Sequence, residues 1–178
     1  MQNENEFTKI NKYILYFFIY SCIGWILETI YAFIVLGHFD NRGFLLGPLC
    51  PIYGFGMLIL IICLSNYKGN NLKLFFVAAV VLTYFEYVAG FVLEVIFDLK
   101  WWDYTNDFLN INGRVCLPFA LAWGVIAILV VNYIHPFTEK ITNKLLNKIT
   151  PVMLDIVLKV LGIIIIIDFI LSSISYLN

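Results

Sequence analysis

The sequence predicts an all-α, polytopic integral membrane protein, and three observations lead there. Of 178 residues, 62% are hydrophobic and only 13% charged, against about 45–50% and 25% in soluble globular domains. The mean hydropathy is +0.90. The apolar residues gather into stretches of about 20 or more, the length an α-helix needs to cross a bilayer. This composition excludes a soluble globular protein, a disordered tail and a nucleic-acid binder. A net charge of −1 leaves no basic field to attract a polyanion.

Five spans are expected, arranged as two similar helix hairpins and a C-terminal span. Residues 1–12 form a short polar tail. The first hairpin covers 13–65. Its first span, about Tyr13 to Leu36, is too long for a signal-peptide core and lacks a small-x-small cleavage site, so it stays in the protein. Its second span, about Phe44 to Leu64, opens with Gly47, Pro48, Pro51, Gly54 and Gly56. The second hairpin covers 72–135, with spans from about Leu72 to Phe97 and Val115 to Ile134. Residues 150–178 hold the last span, built around the run Ile163 to Ile167.

Between them, residues 136–149 have a different pattern. Phe137, Ile141, Leu145 and Ile149 recur every four residues beside Lys140, Lys144 and Lys148. That is the pattern of a basic amphipathic helix lying on an anionic inner leaflet; a solvated linker helix is the alternative.

Orientation follows from the basic residues in short loops. Seven lysines fall in the tail and the second and fourth loops, at 9, 12, 68, 73, 140, 144 and 148, against Arg42, Lys100 and Arg114 in the first and third. The N-terminus is therefore expected in the cytoplasm, and the first and third loops outside.

The two hairpins share a string. Gly24-Trp25-Ile26-Leu27-Glu28-Thr29-Ile30-Tyr31 parallels Gly90-Phe91-Val92-Leu93-Glu94-Val95-Ile96-Phe97. Each copy leads to a loop with an arginine and then to a proline-containing helix start, Arg42 to Pro51 and Arg114 to Pro118. An even number of spans separates the copies, so a duplicated hairpin would have its pseudo-axis along the membrane normal.

Ionisable groups within spans cost about 3 kcal/mol each on insertion scales and need a partner or a wet cavity. Glu28, Glu86 and Glu94 are such groups. Residues 86, 90 and 94 share one helix face, and Gly90 admits another helix closely. The natural partners are Arg42 and Arg114, the only arginines beside nine lysines, because a guanidinium grips a carboxylate bidentately. These five residues either pin each loop over its helix or line a polar cavity for a headgroup or ion.

An outer face of motif residues accompanies them: Asn41, Gly43, Pro48, Pro51, Tyr53, Trp101, Trp102, Asp103, Tyr104 and Asn112. Irregular backbone at membrane depth survives only inside protein or beside water, so 41–56 either packs within the protein or lines a cavity. A proline-started helix with small-residue packing faces is the other reading. Trp101 to Tyr104 suits an aromatic anchor at headgroup level, or a polar lid in which Asp103 joins Asn112 and Arg114.

Cys50 and Cys116 sit at matching ends of the hairpins and are candidates for a disulfide, which requires Cα atoms within about 7 Å. Cys22 and Cys63 lie in spans as small apolar residues. No C-x-x-C, Ser-His-Asp or G-x-S-x-G arrangement occurs, so no catalytic residue is assigned and no enzyme is expected. His38 and His135 stand singly, and neither a metal nor a cofactor is expected. Asp168 reads as an unpaired acid in the last span, too far from Lys159 for contact and suited to face another subunit.

At these motifs the chain resembles the putative ABC-transporter type IV proteins of bacteria, the CmpB-like permeases. The strings are Tyr20 to Trp25 with Glu28; Asn41 to Leu45, then Gly47-Pro48 and Cys50 to Gly56; Glu86-Tyr87 with Gly90 and Glu94; Trp101 to Tyr104; Asn112-Gly113-Arg114 with Cys116-Leu117; and His135-Pro136. They occur in family order over about residues 16 to 136. Leu46 stands where many members have an aromatic residue, and the last forty residues carry no family string.

The resemblance implies a permease-like subunit in the bacterial cytoplasmic membrane. It supplies neither a substrate nor catalytic residues. The chain has no G-x-x-x-x-G-K-[ST] string and no room for a nucleotide-binding domain of about 100–200 residues, so ATP would be hydrolysed by a separate ATPase subunit. A permease of this size would be expected to form at least a homodimer. The alternative is a membrane binding or scaffold protein that recognises a lipid or cell-envelope component through the outer motif face. An intramembrane enzyme acting on a lipid headgroup, with a glutamate as base, is a third reading.

Overall fold

Helices account for nearly all of the regular structure. The computed structural model describes residues 2–39 and 42–177, with side chains from residue 9 onward. In order they are α1 (Gln2–Leu36), α2 (Pro51–Ile59), α3 (Asn71–Phe97), α4 (Leu117–Leu129), α5 (His135–Leu146) and α6 (Pro151–Leu177). A π-helical turn, Leu60–Leu64, and a 3₁₀ turn, Ser65–Tyr67, prolong α2. A second π turn, Val130–Ile134, joins α4 to α5. No strand is present among the described residues.

Local chemistry sets the helix ends. The Asn70 side chain caps α3 by accepting from the Lys73 amide at 3.0 Å, supplying one of the acceptors that a helix start lacks. The same helix stops at Asp98, which adopts a left-handed φ of 53° and donates its amide to the Glu94 carbonyl. Thr150 Oγ1 accepts from the Met153 amide at 3.2 Å. Pro151 then opens α6, Pro51 opens α2 and Pro118 lies in the first turn of α4, where a missing amide costs nothing.

Among the described residues three helical segments are long and apolar enough, by length and composition, to cross a membrane: Lys9–Leu36, Asn71–Phe97 and Leu117–Leu146. The apolar helix Pro51–Tyr67 is shorter. Residues 44–50 are not helical, as the two prolines and Gly47 require. Two further features differ from expectation in extent. α1 runs back through the polar tail to Gln2. α5 continues α4 without a break, and the π turn explains how Pro136 is tolerated. The π-type bond from the His135 amide to the Val130 carbonyl shifts the ladder just where the proline would remove a bond and crowd the preceding turn.

The chain forms two compact units, residues 1–55 with 141–178, and residues 56–140. In the first, Phe18 of α1 packs with Leu154 and Leu158 of α6, joined by Leu49 and Leu161. In the second, Leu74, Ala78 and Leu82 of α3 meet Ala127, Val130 and Val131, with Leu60 and Leu64. Leu74, Ala78, Leu82 and Glu86 are all buried and recur every four residues, so they form one stripe on α3. Phe76, Val80, Tyr84, Val88 and Val95 on its other faces are exposed, as suits contact with lipid.

Candidate functional site

In the second unit the buried stripe of α3 turns polar towards its C-terminal end. Glu86, only 5% exposed, ends the apolar run. Its Oε1 accepts from the Tyr104 hydroxyl at 3.1 Å, and its Oε2 accepts from the Trp123 indole at 2.8 Å. One donor comes from the loop 98–116 and the other from α4, so this carboxyl is held between three segments. The Tyr104 ring stacks on Phe119 at 4.6 Å, and the Tyr104 amide donates to the Gly113 carbonyl at 2.8 Å.

Two turns further along, Glu94 meets Arg114. The guanidinium Nε donates to Glu94 Oε2 at 2.8 Å. Its Nη1 donates to the Tyr87 hydroxyl at 3.3 Å, and the group lies over the rings of Tyr87 and Phe91. Asn112 donates to the same Tyr87 hydroxyl at 2.9 Å. Gly90 lies between the two acids, where an added Cβ would come within 3.1 Å of the Trp102 ring. Trp102 is fixed in turn by donating to the Arg114 carbonyl at 2.8 Å. Gly90, Leu93, Glu94, Lys100, Trp101, Trp102 and Arg114 line a shallow cleft.

Asp103 belongs to a different cluster from Asn112 and Arg114. It accepts from the Thr105 hydroxyl and, at 3.0 Å, from the Thr105 amide, with Lys100 at 3.8 Å. The Thr105 hydroxyl and amide, with Lys100 beside them, hold this exposed carboxyl below the usual aspartate range.

In the first unit, the Tyr53 hydroxyl donates to Glu28 Oε1, and its ring packs over Gly24, where a Cβ would collide with it. Cys50 donates its amide to the Ser21 carbonyl at 3.0 Å and its thiol to the Arg42 carbonyl at 3.8 Å. Cys22, Cys50, Cys63 and Cys116 all carry free thiols. Gly43 and Pro48 lie in the irregular segment, and Pro51 begins α2. Asn41 lies outside the described residues.

Asp168 has partners, contrary to its reading as an isolated acid. Its Oδ1 accepts from the Leu46 amide at 3.0 Å and its Oδ2 from the Gly47 amide at 2.9 Å. Ser172 donates to Oδ1 at 3.1 Å and itself accepts from Leu46. Phe44 packs against Phe169 and Tyr176 of α6, with centroids 5.2 and 5.5 Å away. A carboxylate with several donors is a stable group, and non-helical amides 46 and 47 gain the acceptors they need. Gly47 allows the approach, since a Cβ there would sit 2.8 Å from Asp168 Oδ2.

The sequence profile of the putative ABC-transporter type IV family matches residues 15–173. The chain belongs to the putative ABC-transporter type IV family. No curated protein and no solved structure matches it.

The family match reaches beyond residue 136, where the diagnostic strings stop, and takes in the part of α6 that carries Asp168 and Ser172. In this family member Glu94 and Arg114 are brought together, as their residue types suggest. Sequence pattern alone does not pair Tyr53 with Glu28, Trp123 with Glu86, or Asp168 and Ser172 with residues 46 and 47. For Tyr53 a signal existed, because it follows Pro51 in the first helical turn. For Trp123, an indole amid aliphatic residues, the only hint was a donor in need of an acceptor.

Proposed function

We propose that this chain is a permease-like membrane subunit of a transporter that relies on a separate ATPase. Family membership supports the transporter-related role. The observation that carries the reading further is the polar ladder on α3. Glu86 and Glu94 follow the apolar stripe on one face, and each is bonded to the loop 98–116. In this reading Glu28, Arg42, Glu86, Glu94 and Arg114 line or gate the path.

The chain resides in the bacterial cytoplasmic membrane as five spans, with its N-terminus and basic loops inside. The 27 residues of α6, at about 1.5 Å rise each, support the fifth span. The hairpins 13–65 and 72–135 are repeats. Supporting this, Gly24 and Glu28 match Gly90 and Glu94 in spacing, and each glutamate is bonded by a side chain from the segment that follows. Residues 136–149 offer Lys140, Lys144 and Lys148 to the inner leaflet or to the ATPase, and a homodimer completes the path.

A second reading is favoured by the cleft beside Trp101 and Trp102. Lys100 and Arg114 at an aromatic interface suit a protein that binds a lipid or cell-envelope headgroup. Gentle detergent purification of the tagged protein from its native membrane, with mass spectrometry of everything retained, separates the two. A stoichiometric ATP-binding subunit is the expected result. A retained lipid without any ATPase would overturn the permease reading in favour of the second.

A further inference from the structure

We propose that Glu86 is a proton-binding site, with the proton carried on Oε1 and exchanged through the Tyr104 hydroxyl. Three features of its surroundings lead to this. The carboxyl is 5% exposed, midway along an apolar helix, where an ionised group needs a counter-charge. Among the described residues it meets no cation: its partners are the hydroxyl of Tyr104 and the indole of Trp123. The guanidinium of Arg114 is engaged two turns away with Glu94.

Those two neutral partners suit both protonation states. An indole nitrogen only donates, so Oε2 has to remain an acceptor in either state. A phenol both donates and accepts. When Oε1 is ionised, the Tyr104 hydroxyl donates to it. When Oε1 carries a proton, that O–H donates and the tyrosine oxygen accepts. The hydroxyl rotates, no bond to carbon changes, and the only species taken up or released is a proton from water. The arrangement also gives a direction, because Tyr104 belongs to the loop 98–116 while Trp123 lies within α4.

The titratable groups that face Glu86 are few. From the loop comes Tyr104. At the start of α4 the buried Cys116 thiol lies within electrostatic range. Along α3, Glu94 stands two turns away, neutralised by Arg114. This inference is independent of the permease reading, since a receptor without an ATPase could hold the same proton.

The test is infrared difference spectroscopy of the full chain in phosphatidylcholine nanodiscs, stepped from acid to alkaline buffer. The expected result is a buried carboxylic-acid carbonyl band that titrates, is lost in Glu86→Gln and changes frequency in Tyr104→Phe. Trp123→Phe removes a donor to the ionised form, so its midpoint should rise by about one pH unit. Identical spectra for wild type and Glu86→Gln at every pH would overturn the proposal. If Glu86→Gln does not fold, the other two variants decide: a band unmoved in Tyr104→Phe and an unshifted midpoint in Trp123→Phe overturn it equally.

Discussion

The segments 42–50 and 98–116 are both irregular chain beside apolar helices, and an acid on a helix holds each of them. They are held in different ways. The first depends on Asp168, more than a hundred residues away on α6, and the carboxylate binds backbone amides at 46 and 47. The second depends on Glu94, on the helix that leads directly into it, and the carboxylate binds a side chain, Arg114. The contrast follows from the backbone. Residues 98–116 close turns on themselves, with amide-to-carbonyl bonds from Tyr104 to Gly113 and from Ile111 to Val115. In residues 42–50 the Leu49 amide turns back to the Gly47 carbonyl, but the amides of 46 and 47 donate to side chains of α6. The same kind of acid completes a backbone in one place and orients a cation in the other.

Mutations should expose this difference, and Asp168→Ala should have the largest effect. It leaves the Gly47 amide without its acceptor and the Leu46 amide with Ser172 alone, a loss of about 1–3 kcal/mol. Thermal unfolding in detergent measures it. Asp168→Asn, which keeps one acceptor oxygen, should recover part of the loss; no difference between Asn and Ala would remove the carboxylate from the account. Next comes the Glu94–Arg114 pair. A double-mutant cycle with Glu94→Gln and Arg114→Gln should give a coupling of about 1–2 kcal/mol, because both side chains are largely shielded, at 29% and 15% exposure. Additive losses would mean that the pair contributes nothing as a pair.

Tyr53→Phe should cost about 1 kcal/mol, the usual net worth of one hydrogen bond, and Glu28→Gln combined with it should add little. The smallest effect concerns Asp103. Its carboxyl is held below the usual range, so it is ionised and bonded to Thr105 above the ordinary aspartate value of about 3.9. That contribution fades as the pH falls through the lowered value. Exchange of the Thr105 amide should therefore quicken in acid relative to Asp103→Asn; parallel pH profiles would show that the carboxylate does not hold the turn.

The helices and the Glu94–Arg114 pair were legible in the sequence because each rests on a local signal: apolar length, proline and glycine punctuation, two arginines among many lysines. Asp168 was not legible. Within its own helix it has Lys159 too far away, and the amides it binds belong to a segment whose position depends on how α6 packs beside it. The same reason hides Trp123 from Glu86. Helical periodicity tells that residues 86, 90 and 94 share a face, but which residue of α4 lies opposite depends on the rotation and height of that helix. The continuity of α4 into α5 was hidden differently. Pro136 signals a break, and only a π turn before it, which has no clear sequence mark, lets the helix run on.

The most direct test of the contrast between the two segments is amide hydrogen exchange of the wild type, Asp168→Ala and Glu94→Gln in the same lipid nanodiscs. Asp168→Ala should strip protection from Gly47, weaken it at Leu46, which still donates to Ser172, and leave residues 98–116 as they were. Glu94→Gln should loosen the region around Arg114 and leave Leu46 and Gly47 protected. Unchanged protection at Leu46 and Gly47 in Asp168→Ala, or equal loosening of both segments by either variant, would contradict the account.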